Sequence, residues 1–130
     1  MVLVDEELSA TRIIGYHTLL FFHVNQSEIP QDKPKITRDI PIVLLGQLGV
    51  DTQYQGKGYG ERLLMDAQAR VHEISLKIGI RAMMLDARNE RLAKWYESYD
   101  FIRHPGSLRM SKKIENIWNL KLIWPSNILD

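Results

Sequence analysis

Residues 50–64, Val50-Asp51-Thr52-Gln53-Tyr54-Gln55-Gly56-Lys57-Gly58-Tyr59-Gly60-Glu61-Arg62-Leu63-Leu64, join an apolar run to the start of an amphipathic pattern. The run before them, Ile40–Val50, is nearly all apolar and reads as a central strand. After them, Leu63, Leu64, Ala67, Val71, Ile74 and Ile78 predict a helix with one apolar face, stopped by Gly79 as its C-terminal cap. Between the two, Gly56, Gly58 and Gly60 let the backbone turn sharply and bring N–H groups close to a ligand. A helix opening there adds unpaired donors and the positive end of its dipole, which suits a phosphate or pyrophosphate. The other reading of the same residues is a turn whose glycines only let strand and helix pack closely.

Spacing excludes two familiar nucleotide loops. A dinucleotide loop needs G-x-G-x-x-G, and counting from Gly56 its third glycine would fall on Glu61. A Walker loop needs G-x-x-x-x-G-K-[ST], and Gly56-Lys57 lacks both the earlier glycine and the following Ser or Thr. What remains is Gln55-x-x-Gly58-x-Gly60.

At 130 residues, 45% hydrophobic and 25% charged, the chain reads as one soluble domain, 1–130, long enough to bury a core. The absence of cysteine excludes disulfides, a thiol nucleophile and thiolate metal sites, and fits a reducing cytoplasm. A net charge of +1 gives no global argument for nucleic acid, so any such contact must rest on a local patch. No signal pattern is visible and Ile40–Val50 is too short to cross a bilayer, so we expect a cytoplasmic protein without a membrane. His17, His23, His72 and His104 show no metal-ligand spacing, so no metal is expected. His72 reads as a solvated or half-buried helix residue.

Working outward, Val2–Val4 is a short strand and Ala10–Val24 a long one, with Gly15 marking a bulge. Asn25–Asp39 is a polar loop made basic by Lys33, Lys35 and Arg38. Gly46 and Gly49 suggest a bulge or close approach within the central strand. Downstream come a strand over Ile80–Ala87, a short helix over Asn89–Tyr99, and a hairpin of Phe101–His104 and Leu108–Lys112 around Pro105-Gly106. Asn89 and Tyr96 lie two helical turns apart and should share a face. This order is α/β.

Gln55-x-x-Gly58-x-Gly60, set between strand and helix, resembles the coenzyme A pyrophosphate loop of the GCN5-related N-acetyltransferase (GNAT) superfamily, Q/R-x-x-G-x-G/A. Residues 89–101, Asn-Glu-Arg-Leu-Ala-Lys-Trp-Tyr-Glu-Ser-Tyr-Asp-Phe, resemble its N-x-x-A-x-x-[FW]-Y-E-x-x-G-F signature. Ala93 stands one place late, and Asp100 replaces a glycine, a mild departure because Asp tolerates a left-handed turn. The resemblance implies the GNAT acyltransferase fold: a mixed, mostly antiparallel central sheet, splayed between Ile40–Val50 and Ile80–Ala87 where the pantetheine arm fits.

It also implies acetyl-CoA as co-substrate and amine acylation as chemistry. A neutral amine attacks the thioester, an oxyanion develops and a thiolate leaves, so the site must supply oxyanion donors and a proton. The implied cofactor contacts are Leu48, Gly49 and Val50 through their backbone, the loop Gln55, Gly56, Lys57, Gly58, Tyr59 and Gly60, and Asn89. Tyr96 matches the tyrosine that commonly protonates the leaving thiolate, and a phenol of ordinary pKa about 10 suits that task. Its bland reading is an aromatic at the core edge beside Trp95. Tyr54, Tyr59 and Tyr99 fit the family position less well.

From Pro41 to Lys113 the chain further resembles the acetyltransferase toxins of type II toxin–antitoxin modules, where P-V-V-L-L-G-R-L-A-V-D precedes Y-Q-G-x-G-x-G. That resemblance implies acetylation of the α-amine of aminoacyl-tRNA and neutralisation by a ribbon-helix-helix antitoxin. Arg12, Lys33, Lys35, Arg38, Arg88 and Arg91 would be its tRNA phosphate contacts, or simply a solvated charged surface. The resemblance implies a further N-terminal strand and helix pair, which this sequence is expected to lack, whether as a shortened homologue, as a fragment, or because another subunit supplies that wall. The apolar Ile114–Asp130 extends the last strand, covers the sheet, or faces a partner, an antitoxin or a second copy in a homodimer. A small amine or a protein N-terminus as acceptor, or a non-catalytic remnant that binds coenzyme A or a partner, stays open.

Overall fold

A computed structural model describes residues 2–5, 12–29 and 38–118. Strands β1 (Val2–Asp5), β2 (Arg12–Asn25) and β3 (Asp39–Val50) precede helix α1 (Tyr59–Ser75). Then follow β4 (Ala82–Asp86), α2 (Glu90–Glu97), β5 (Ile102–Arg103), β6 (Arg109–Lys113) and α3 (Ile114–Trp118). All strands join one sheet in the order β1-β2-β3-β4-β6-β5. Among the described strands only β3 and β4 run parallel, so the expected mixed, mostly antiparallel sheet is present. Lys33 and Lys35, Glu6 and Glu7, and the apolar residues from Leu120 onward lie outside the described residues.

The helices share one face of the sheet. Leu64, Ala67 and Val71 of α1 pack with Val43 and Leu45 of β3, Met83 and Leu85 of β4, Ala93 and Tyr96 of α2, and Ile117 of α3. A smaller cluster, Ile29, Ile40, Ile42, Ala82 and Met84, covers part of the opposite face. The glycine signals in the long strands were sound. Leu3 opposes Gly15 and Val4 opposes Ile13, which leaves Ile14 as an extra residue. Thr18 opposes Gln47 and Leu19 opposes Leu45, so Gly46 is the extra residue of a second bulge. A Cβ on Gly15 would stand 2.6 Å from Gly49 O and 2.8 Å from Leu63 Cδ1, so α1 seats on the sheet only over a glycine. Among the described residues, β1 pairs with β2 no farther than Tyr16, and no strand lines the outer edge of Thr18–Asn25. Along that edge Leu20, Phe21 and Phe22 are 47%, 60% and 49% exposed.

Three local expectations need correction. Helix α1 ends at Ser75, not at Gly79: Leu76 N–H donates to Glu73 O, and Lys77 and Ile78 N–H both donate to Ile74 O. The last turn closes on itself, the left-handed glycines are Gly56, Gly58 and Gly106, and Ile78 is exposed beyond the helix. Asn89 is the N-cap of α2 with an extended φ of −156°, outside the helical repeat, so seven-residue spacing to Tyr96 does not give a shared face. His72 is buried, because its position on α1 turns toward the protein rather than toward water.

Helix α1 also carries a charge cluster in which His17 and Asp66 are buried and Arg70 is half exposed. His17 Nε2 lies 2.6 Å from Asp66 Oδ2, and Arg70 Nε donates to the same oxygen at 2.7 Å. Burial pushes the Asp66 carboxyl up, but the hydrogen bonds and charges of His17 and Arg70 outweigh it, and its pKa lies below the ordinary value. A depressed carboxylate stabilises the fold above its unfolded pKa of about 4 and loses that contribution as pH falls through the folded value. Urea titrations stepped from pH 6 downward should therefore show stability falling below about pH 4, with a shallower fall in Asp66→Asn. Parallel acid limbs in the two proteins would remove Asp66 from the account.

Candidate active site

Strand β3 pairs with β4 only from Ile42 to Leu45, opposite Ala82 to Leu85. Beyond Leu45, β3 continues to Val50 against β2 alone, while β4 turns its end toward β6, Asp86 opposite Arg109. The parallel strands thus part at one end of the sheet. Leu48, Gly49 and Val50 occupy the freed stretch of β3, each half-buried. Toward that side the stretch has no β4 partner; Val50 O is met by the Gln55 side chain, and the other backbone groups that face this way are open to a ligand's amides. Asp86 holds the far wall through a two-pronged contact with Arg109 at 2.8 and 3.1 Å, and this hydrogen-bonded guanidinium keeps its carboxyl below the usual range.

At the foot of the gap the chain turns in a fixed way. Asp51 N–H donates to Ile14 O, and Asp51 Oδ1 accepts from Gln53 N–H, which shapes the single turn Thr52–Tyr54. Tyr54 is buried and meets Tyr59 edge-on at 5.9 Å between ring centres. Gln55 Nε2 donates to Val50 O at 3.1 Å, clamping loop to strand. Gly56 and Gly58 adopt φ of +77° and +87°, and Gly58 is the N-cap of α1. A Cβ on either would meet nothing within 4 Å, so conformation, not crowding, calls for glycine there. The first intrahelical bond runs from Arg62 N–H to Gly58 O, so the amides of Tyr59, Gly60 and Glu61 point out of the helix start. Lys57 is exposed, its Nζ 5.6 Å from the centre of the Tyr54 ring.

Helix α2 stands against this loop. A Cβ on Gly60 would lie 3.8 Å from the Trp95 ring and 3.9 Å from Val50, so the end of β3, the start of α1 and the face of α2 converge there. Trp95 meets Tyr96 at 4.9 Å and Tyr99 at 5.1 Å, and Tyr96 meets Phe101 at 5.9 Å, all edge-on. Tyr96 is buried, which raises its phenol pKa above the ordinary value against a smaller opposite pull from Arg88. Such a phenol is a proton donor at neutral pH. Asn89 Oδ1 accepts from Leu92 N–H at 2.9 Å, so this side chain is engaged in starting α2. After α2, Asp100 takes φ +71°, the left-handed turn that its place in the motif called for.

The basic residues do not converge to the same degree. Arg38 is exposed just before β3, Arg88 and Arg91 are exposed at the start of α2, and Arg12 lies in β2. Sequence reasoning missed the polar groups that brace α2. Arg103 donates to Glu90 at 2.6 Å and Glu97 at 2.8 Å, clipping both ends of the helix to β5. Lys112, 2% exposed, donates to Gln68 Oε1 at 2.8 Å and Tyr99 O at 2.9 Å. Neither contact has a local sequence signal, since the partners lie far apart along the chain. A cavity of about 370 Å³ lined by His17, Leu19, Arg70, Glu73 and Ile74 shares no residue with this site.

Comparison with known proteins agrees with the geometry. The "tRNA-acetylating toxin" of Mycobacterium tuberculosis is 31% identical over 91 residues, 69% of this chain and 55% of that protein. The "Probable toxin TacT" of Sinorhizobium fredii is 30% identical over a 131-residue alignment, 92% of this chain and 72% of that one. The chain thus spans about half to three quarters of the length of these relatives. A solved structure of the toxin AtaT complexed with acetyl-methionyl-tRNAfMet superposes with a TM-score of 0.75 at 27% identity, covering 86% of this chain and 69% of AtaT. A tyrosine-to-phenylalanine mutant of AtaT, bound to the C-terminus of the antitoxin AtaR and acetyl-CoA, gives 0.73 at 27% identity, covering 88% and 69%. The family described as "Acetyltransferase (GNAT) domain" matches residues 2–103, across the parted strands, the glycine loop and α2, and to that family the chain belongs.

Proposed function

We propose that the chain moves an acetyl group from acetyl-CoA to the α-amine of the amino acid on a charged tRNA, as the toxin of a toxin–antitoxin pair. The observation that carries this reading is the left-handed pair Gly56 and Gly58 opening α1 at the foot of the parted strands, with Tyr96 on the adjoining helix. Acetyl-CoA supplies the activated thioester. The amides of Gly56, Lys57, Gly58, Tyr59 and Gly60, with the positive end of α1, hold its pyrophosphate, and Lys57 adds a charge. Backbone groups of the stretch Leu48, Gly49 and Val50, beyond the end of the β4 pairing, bind the pantetheine amides and the acetyl carbonyl. Gln55 steadies the loop on Val50, and Asn89 fixes the start of the helix that carries Tyr96. Tyr96 gives its phenolic proton to the departing sulfur.

The acceptor and partners follow from the relatives. AtaT is seen with acetyl-methionyl-tRNAfMet and with the C-terminus of the antitoxin AtaR, and the mycobacterial relative is named as a tRNA-acetylating toxin. For this chain, Arg88, just before α2, and Arg91, in its first turn, are exposed cations suited to acceptor-stem phosphates. A ribbon-helix-helix antitoxin and a homodimer complete the proposed assembly, in the cytoplasm. The test is incubation of the purified chain with acetyl-labelled coenzyme A and a mixture of charged and uncharged tRNA. Label should appear in charged tRNA and vanish on deacylation. Label confined to free amines or to protein would overturn the tRNA reading, and no transfer to any acceptor would overturn acetyl transfer itself.

A further inference from the structure

We infer that Lys112 is a positioning residue for Tyr96, tying the helix of the phosphate loop to the turn that ends the helix bearing the phenol. The inference rests on the acetyl-transfer reading and adds a residue to it. Lys112 lies on β6 at 2% exposure, inside the protein. Its Nζ donates to Oε1 of Gln68, a fully buried residue of α1, at 2.8 Å, and to the carbonyl of Tyr99 at 2.9 Å. Tyr99 precedes Asp100, whose left-handed φ of 71° reverses the chain after α2. The same ammonium stands 5.6 Å from the centre of the Phe101 ring, and Phe101 meets Tyr96 edge-on at 5.9 Å. One buried cation therefore touches α1, the turn after α2 and the ring that backs Tyr96.

Stability alone does not call for a lysine here. Burying an ammonium is costly, and a hydrophobic residue of similar volume at such a site is often neutral or stabilising. Burial lowers the Lys112 pKa, with only Asp100 pulling the other way, which marks the cost of this placement. What an apolar side chain cannot do is hold Gln68 and the Tyr99 carbonyl at a fixed separation. The other braces of α2, Arg103 to Glu90 and Glu97, use carboxylates that are 61% and 46% exposed, where water competes. The buried brace sets where the phenol stands relative to the loop.

The test is a double-mutant cycle in the full chain, read in kcat and in acetyl-CoA Kd. Lys112→Met should lower kcat about 10- to 100-fold, the range for a displaced catalytic group, with acetyl-CoA Kd changed less than about twofold. In a Tyr96→Phe background the same substitution should lower kcat by less than about twofold, because the group it positions is gone. Additive losses in kcat, or a parallel loss of acetyl-CoA binding, would overturn the positioning role and leave a merely structural one. Should Lys112→Met not fold, Gln68→Leu removes only the α1 anchor; it should lower kcat about 3- to 10-fold with the same dependence on Tyr96, and additivity there overturns the role equally. A native chain that binds no acetyl-CoA overturns the acetyl-transfer reading, an outcome distinct from turnover with additive losses.

Discussion

Replacing Tyr96 with phenylalanine should lower kcat by about one to three orders of magnitude and leave acetyl-CoA affinity within about twofold. Phenylalanine keeps the edge-on contacts to Trp95 and Phe101, so the ring stays seated and only the proton donor is lost. The loop that would hold the pyrophosphate is built from backbone at Gly56 to Gly60 and does not use the phenol. Burial holds the Tyr96 pKa above its ordinary value, so the proton is present through the whole neutral range. Ionisation of Tyr96 would cut activity only above about pH 10. A falling limb near pH 8 must therefore come from another group and should persist in Tyr96→Phe. An unchanged kcat in the variant would take Tyr96 out of the chemistry.

The second large effect is expected at Gly58. Gly58→Asp should weaken acetyl-CoA binding by about 100-fold or more, the loss of two charge-assisted hydrogen bonds at about 1.5–3 kcal/mol each. The new carboxylate would stand at the N-cap of α1, where it repels phosphate and competes for the amides of the first turn. No atom lies within 4 Å of the added Cβ, so the fold should tolerate the change apart from a cost of about 1–2 kcal/mol for a side chain at φ +87°. Calorimetric titration with acetyl-CoA, beside a thermal melt, separates the two effects. Equal affinity in a folded variant would mean that the glycine loop is a packing turn and the cradle lies elsewhere.

The legible features were those written in the backbone. Gly56 and Gly58 sit at positive φ, Gly46 and the neighbour of Gly15 are bulges, and Asp100 takes a left-handed turn, because each needs a conformation few residues adopt. The same logic failed at Gly79, where the turn after α1 closes through its own i+3 and i+4 bonds and needs no special residue. Asn89 misled in another way: helical spacing presumes a helix, and a cap lies just outside one. Pairings set by tertiary contact were invisible. Lys112 and Gln68 are 44 positions apart, and His17 and Asp66 are 49 apart. Only Asp66 and Arg70, one helical turn apart, left a trace in the sequence. The glycine turn that opens α1 was thus readable from the sequence, whereas the bracing of α2 was not.

The edge of β2 beyond Tyr16, without a partner strand among the described residues, bears on how the protein behaves in concentrated solution. Leu19 to Val24 is a six-residue window rich in strand-forming residues, without proline, glycine or a formal charge at neutral pH. Natural edge strands are commonly blunted by lysine, proline or a bulge, and the bulge of β2 against β3 falls before this stretch, whose register is unbroken from Leu19 to Asn25. With Phe21 and Phe22 exposed on opposite faces, the window has the composition of a segment that stacks with its own kind. Such stacking is driven by apolar surface and backbone pairing rather than by charge. Added salt would therefore not disperse it, and turbidity should grow with protein concentration at any ionic strength.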